Sequence, residues 1–436
     1  MVDSNIIVFF YPSMVIGGAE YLFIRLAKYL SSHLKKKVYY IDYKEGFARK
    51  KLEDSEVVIL DYSDDSKVSI KENVILLTPV SNITTLGNKL DLTPDSRVFF
   101  WSIHPTNIIS CLPLIQFFIK LKSLNEIILN LFDKEKQNIQ KILDQTLNQQ
   151  ALFFMDLENS TYNKILFDLQ PDSLKYLPIP IDNKPIHNTR KLLDPNLLSF
   201  AWLGRLSEDK IHTLENILWQ LNKYCRQEKQ KIDFHILGDR KLPDNLKMYS
   251  ENEFLNLSLK MNLTDETLQN YLTTSIDCLF AMGTSALEGA ILKIPTVLVD
   301  YSYIPLNKNT QFRWLFETEG FCLGFEASNP LIKPKHSLNE ILRSLQDNHN
   351  KLADACCNYA VKNHSMDIVI NQLLDAANES QFYWKDYLHI TAGLKSPSIP
   401  EMLKQVVICK LSPKIKFVVI FLFLRYVFLR KLRLIT

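Results

Sequence analysis

The sequence has little that would mark a disulfide-built, zinc-bound or repetitive protein. Its seven cysteines, at positions 111, 225, 278, 322, 356, 357 and 409, form no Cys-x-x-Cys pair and leave an odd count. That pattern argues against a disulfide or zinc framework and fits reduced thiols in a reducing compartment. The apolar run at residues 6–11 lacks a basic flank and a small-residue cleavage site, so it reads as a buried first strand and not as a leader. The protein is therefore expected to stay in the cytoplasm. No internal repeat or low-complexity block interrupts the chain. No Asp-x-Asp or His-x-x-x-His signature stands at a strand end, so neither a catalytic metal nor a cofactor is expected. The net charge of +3 is too small to argue for nucleic-acid binding.

What is present is an ordinary folded composition, 47% hydrophobic and 23% charged, over 436 residues, enough for two domains. Short apolar runs at 6–10, 38–41, 57–60, 74–77, 98–101 and 151–155 alternate with helical patterns such as 19–30, where Leu22, Leu26, Ala27 and Leu30 share a face. This alternation argues for βαβ units and a parallel sheet buried on both faces. Residues 176–182 carry two prolines and lead into the polar stretch 183–195, a plausible connection between domains. A second series follows, with strands at 198–202, 234–237, 276–280 and 296–299 and helices at 213–224, 265–273 and 286–292. The expected organisation is a domain at 1–182, a second at 183–380 and an extension at 381–436. Two doubly wound halves would face each other across a cleft at the carboxyl ends of their strands.

Four segments at expected strand ends carry candidate chemistry. In the first, Gly283-Thr284-Ser285 opens a helix after a strand, where backbone N–H groups and two hydroxyls suit a diphosphate, and Glu288 suits a ribose diol. The same residues fit a second reading, in which Ser285-x-x-Glu288 is a capping box that stabilises the helix without any ligand. In the second, Gly204 ends a strand and Arg205 and Lys210 project from the following loop, two cations that could neutralise a diphosphate or simply be solvated. In the third, Gly17-Gly18-Ala19-Glu20 lets backbone approach a phosphate or sugar, or only makes a tight turn. In the fourth, Trp101-Ser-Ile-His104-Pro places one histidine past a strand, for a structural or a ligand-facing role.

Taken in this order, the segments resemble the GT-B glycosyltransferases of the family 4 type, which include lipopolysaccharide and capsule enzymes. The resemblance spans about residues 5–300. It rests on Gly17-Gly18-Ala19-Glu20, on Gly204-Arg205-Leu206 with Lys210, on Ile236-Leu-Gly238-Asp239, on Leu287-Glu288-Gly289-Ala290 followed by Pro295, and on the 176–182 linker. It implies two Rossmann-like domains and a nucleotide-sugar donor held by the second. Arg205 and Lys210 would bind the diphosphate, with Gly204, Gly238, Gly283, Thr284 and Ser285 assisting. Glu288 would take the ribose, Gly17 and Gly18 would approach the donor, and His104 would contact the sugar or act in catalysis. Phe280 stands where the family often has the first glutamate of a Glu-x7-Glu pair, Ile211 replaces a glycine, and the linker lacks Asn-Gly. Met282-Gly283-Thr284-Ser285 resembles a divergent branch of the family, one of cell-surface polysaccharide enzymes.

From 403 to 436 there are eight Lys or Arg residues and no Asp or Glu, around the apolar run 417–424. A spanning helix needs about 20 predominantly apolar residues, so this run is too short. A basic amphipathic helix lying on an anionic membrane through residues 413–436 is the expected arrangement. A last helix packed back on the first domain and a short true span are the alternatives. The stretch 108–119 reads as core or as an acceptor-side element. The expected function is sugar transfer from a nucleotide-sugar to a lipid-linked or polysaccharide acceptor at the inner membrane face. The competing readings are a catalytically silent subunit of a polysaccharide assembly and a nucleotide-sugar epimerase-like enzyme.

Overall fold

The structure, a computed structural model, describes residues 6–15, 17–112, 132–170, 174–182, 194, 197–261, 263, 265–329 and 335–394. It divides into two units, Met1–Leu177 with Ile370–Thr436, and Pro178–Val369. The basic apolar tail and most of the 108–119 stretch lie outside the described residues.

The first unit begins with β1 (Ile6–Phe10), α1 (Gly18–Ser32), β2 (Lys37–Tyr43), α2 (Phe47–Leu52) and β3 (Val58–Tyr62). It continues through β4 (Val68–Ile70), β5 (Ile75–Pro79), β6 (Leu90–Leu92), β7 (Arg97–Ser102), α3 (Asp133–Asn148), β8 (Leu152–Phe154), α4 (Leu157–Phe167) and β9 (Lys175–Tyr176). The main sheet runs β3-β2-β1-β5-β7-β8-β9, with every pair parallel, and β4 and β6 form a separate parallel pair. The apolar run of β1 is explained by burial on both faces. Phe9 meets Tyr40 of β2 at 6.1 Å and Phe23 of α1 at 6.0 Å, while Phe10 meets Tyr62 of β3 at 5.3 Å.

In the second unit β10 (Leu197–Leu203), α5 (Glu208–Glu228), β11 (Lys231–Gly238), α6 (Asp244–Lys247), β12 (Leu255–Met261) and α7 (Asp265–Ser275) precede β13 (Cys278–Ala281), α8 (Thr284–Ile291), β14 (Thr296–Leu298) and β15 (Arg313–Trp314). The sheet order is β12-β11-β10-β13-β14-β15, parallel except for the last pair. Alternate residues of β10 feed two cores. Phe200 and Trp202 pack with Leu214, Ile217 and Leu221 of α5, whereas Ala201 and Leu203 pack with Ala286, Leu287 and Ala290 of α8. Helix α9 (Leu338–His364) starts at a capping box of Ser337 and Glu340 and serves both cores, Leu342 and Leu345 in one, Cys356 and Ala360 in the other.

The expected α/β class with two Rossmann-like sheets is therefore what the chain forms. Strand β12 is absent from the sequence-based reading, although Leu255, Leu257 and Leu259 alternate with Asn256, Ser258 and Lys260. A search for continuous apolar runs passes over such an edge strand, whose period of two is the signal. Helices α10 (Met366–Glu379) and α11 (Trp384–Thr391) follow α9, and the chain passes from the second unit to the first within α10. Trp384 N–H donates to Ser96 O at 2.7 Å, and Tyr387 Oη accepts from Gly87 N–H at 3.1 Å, so α11 docks on the first unit. Both rings are buried.

Candidate functional site

In the second sheet the strand order reverses between β10 and β13, which lie side by side with Leu203 opposite Ala281. Open α/β sheets bind ligands outside the carboxyl ends of their strands at such a point. Here the chain leaves β10 as Gly204-Arg205-Leu206 and leaves β13 as Met282-Gly283, and a helix starts after each. Neither helix start carries a side-chain cap. Ser207 is the N-cap of α5, yet its Oγ is buried without a partner among the described residues. Gly283 is the N-cap of α8, with φ 61° and ψ −142°, a backbone state that favours glycine, and a Cβ there would meet nothing within 4 Å. Ser285 and Glu288 therefore form no capping box, which corrects that reading. The helix begins at Thr284, so Ser285 is its second residue and cannot cap it.

Arg205 is exposed and Lys210 half-buried, and neither side chain forms an ion pair among the described residues. Lys210 lies in the first turn of α5 and not in a loop, because α5 starts at Glu208, earlier than the apolar periodicity suggests. Burial pulls its ammonium below the ordinary value; Asp209 opposes this, the Arg205 charge adds to it and Asp239 opposes it. Two cations that form no ion pair among the described residues thus follow β10, and helix starts without a side-chain cap follow both β10 and β13, features that suit an anion. Among the described residues, no three His, Cys, Asp or Glu side chains are grouped to hold a metal ion.

The other expected donor residues divide by role. Gly238 ends β11 behind this loop, where a Cβ would come within 3.3 Å of Leu206, so it serves close packing. Asp239 accepts from Leu206 N–H at 2.9 Å and pairs with Arg240 at 3.0 Å, fixing the segment that carries Arg205. A Cβ on Gly204 would make only ordinary contact with Trp202. Glu288 is half-buried, one turn into α8. Gly289 stands where the resembled motif has alanine, and a Cβ there would sit 2.4 Å from Leu279. Phe280 is fully buried in β13, 5.8 Å from the Phe200 ring and 5.6 Å from that of Phe312. A carboxylate at that position would be buried among rings, at a cost of several kcal/mol.

In the first unit, Gly17 and Gly18 open α1 after β1, and His104 follows β7, two strands away across β5. A Cβ on Gly18 would meet nothing, whereas one on Gly17 would lie 2.7 Å from the Glu20 carboxylate. Glu20 is buried and accepts from Ser13 Oγ at 2.9 Å. Burial, and then the Glu20 charge and hydrogen bond, push the Tyr11 phenol well up. The loop is tied down by Asp42, which accepts from Ser13 N–H at 2.9 Å, Tyr43 N–H at 2.8 Å and Arg49 N–H at 3.2 Å. Asp42 was not among the candidate residues; its signal is an aspartate closing an apolar strand ahead of Gly46, whose Cβ would strike it at 2.2 Å. Met14 and Val15 are exposed at the tip of the same loop. His104 is exposed, and its Nδ1 accepts from Thr106 N–H at 3.2 Å and lies 2.9 Å from Thr106 Oγ1.

No protein-family model and no curated protein matches the chain. Solved structures do. A glycosyltransferase from Rickettsia africae superposes with a TM-score of 0.51 at 13% identity, covering 90% of this chain and 100% of that one. Anabaena HepE in complex with UDP and glucose gives 0.46 at 11% identity, covering 86% and 99%. WaaG, a glycosyltransferase involved in lipopolysaccharide biosynthesis, gives 0.46 at 11%, covering 86% and 100%. The chain has the GT-B fold.

Within that GT-B fold the sequence-predicted residues separate cleanly. Gly204, Arg205 and Lys210 follow β10, Gly283, Thr284 and Ser285 follow the neighbouring β13, so both segments lie at the carboxyl ends of adjacent strands of the second unit, and Glu288 stands one turn into α8. Gly17, Gly18 and His104 belong to the first unit.

Proposed function

We propose that the protein is a glycosyltransferase moving a sugar from a nucleotide-sugar donor to a lipid-linked or polysaccharide acceptor at the cytoplasmic membrane face. The observation that carries this reading is the pair of uncapped helix starts at the β10/β13 reversal, flanked by Arg205 and Lys210 without ion-pair partners among the described residues. A diphosphate gains charge as the glycosidic bond breaks. Preplaced N–H groups and cations stabilise the leaving group most at that moment, which accelerates the step. In this reading the two cations and helix starts supply the charge that a metal ion supplies elsewhere. Thr284 and Ser285 assist, Glu288 takes the ribose, and Gly17, Gly18 and His104 act toward the donor sugar. The GT-B fold shared with the Rickettsia africae glycosyltransferase supports the assignment. The basic apolar segment 413–436 would hold the enzyme at an anionic bilayer, close to lipid-linked acceptors. Among the described residues no helix is long and apolar enough to cross a membrane.

The test is turnover and nucleotide binding by Arg205→Ala and Lys210→Ala. Each should lower turnover by roughly 10²-fold or more, with the melting temperature near that of the wild type. Wild-type rates in both variants would remove the diphosphate assignment. Burial of Phe280, where a sugar-contacting glutamate is common, favours a second reading, a silent subunit that binds nucleotide without turnover. Tight nucleotide binding with no transfer to any acceptor would select it.

A further inference from the structure

We propose that Asn159 and Asn163, one turn apart on α4, are positioning residues that hold the His104 loop and fix its imidazole as a hydrogen-bond donor. The kinetic arm of this proposal rests on the glycosyltransferase reading; the structural arm does not. Thr106 N–H can only donate, so His104 Nδ1 must accept and the neutral ring must carry its proton on Nε2. In that tautomer the ring acts toward a ligand oxygen as a donor and not as a general base. The loop that sets this geometry is anchored on both sides of the histidine. Asn159 Nδ2 donates to Ser102 O at 2.8 Å, and Asn159 Oδ1 accepts from Ser102 Oγ at 2.7 Å. Asn163 Nδ2 donates to Pro105 O at 3.1 Å, and also faces Asn159 O at 2.8 Å and Asn159 Oδ1 at 3.2 Å. Three oxygens around one nitrogen rule out the flipped amide.

The arrangement is costly in a way plain packing would not be. Both asparagines are buried, and Asn163 Oδ1 has no partner among the described residues. An apolar residue of similar volume would remove that orphan acceptor. What it could not do is grip Pro105 O. Asp156 caps the same helix by accepting from Asn159 N–H at 2.8 Å, so the platform beneath the loop is itself fixed.

The experiment is nitrogen-resolved NMR of the His104 ring in the full chain, in the wild type, Asn163→Leu and Asn159→Ala, joined to a kinetic double-mutant cycle. The wild type should show Nδ1 unprotonated and Nε2 protonated at neutral pH, and the variants a mixture of tautomers. Asn163→Leu should lower kcat roughly ten- to hundredfold while leaving nucleoside diphosphate affinity unchanged. Adding Asn163→Leu to His104→Ala should cost nothing further. A wild-type proton on Nδ1, unchanged tautomers in both variants, or additive losses would overturn the proposal. If Asn163→Leu does not fold, Asn159→Ala carries both arms. If the wild type turns over no nucleotide-sugar, the glycosyltransferase reading fails and the NMR arm still decides this one.

Discussion

His364 shows how a single buried side chain ties stability to pH. It ends α9, fully buried, with Nδ1 against Ile179 O at 2.9 Å and Nε2 without a partner among the described residues. Protonating Nε2 would bury an N–H with nothing to receive it, and burial pulls the ring down to about 4 from 6.5. The unfolded chain therefore takes up a proton first, and stability falls as pH drops from about 6.5 to about 4, by at most about 3 kcal/mol. Asp156 works in the opposite sense. Burial pushes its carboxyl up to about 6, so its contribution falls as pH rises from about 4 toward 6. The two overlap, and only a difference separates them. Denaturant melts of wild type and His364→Gln should show the wild type losing ground to the variant as pH falls through that window. A difference that stays constant with pH would show that His364 does not titrate there.

At the scale of elements, the fit of α8 against β13 sets where the segment Gly283–Ser285 stands at the strand end. Gly289 lets the helix lie on Leu279, and Gly283 turns the chain from strand to helix at a φ that side chains rarely adopt. Gly289→Ala would gain up to about 1 kcal/mol of helix propensity. Overpacking a buried site costs typically 1–3 kcal/mol, and the 2.4 Å approach to Leu279 makes that the larger effect. The variant should melt lower, and Leu279→Ala should restore part of the loss. An unchanged or raised melting temperature in Gly289→Ala would mean that α8 can move off the strand. Much of this was legible in the sequence. Continuous apolar runs marked the buried strands because parallel sheets covered on both faces leave no polar alternation, and glycines marked the strand ends. The helix starts were harder. Ser285 and Glu288 satisfy the capping pattern, yet the positive φ that puts the cap at Gly283 is a backbone fact the pattern does not encode. Lys210 reads as a loop residue because the polar first turn of α5 precedes its apolar stripe. Asp42, Asn159 and Asn163 act through hydrogen bonds to backbone far along the chain, and no local spacing announces such contacts.

For the whole molecule, the two sheets give the GT-B fold, and α11 closes the chain back on the first unit through Trp384 and Tyr387. The basic stretch beyond it carries a separate prediction. On the proposed function, removing residues 413–436 should release the protein from anionic vesicles without changing turnover of a water-soluble acceptor analogue; continued sedimentation with vesicles would contradict a membrane role for this segment. The central claim is the donor site of the second unit. Calorimetry and thermal shift against nucleoside diphosphates and nucleotide-sugars test it most directly. A ligand at 100 times its Kd should add about 2.7 kcal/mol of stability. The account predicts a diphosphate-dependent hit that is lost in Arg205→Ala and weakened in Glu288→Ala. A hit that survives Arg205→Ala, or no hit across the panel, would contradict it.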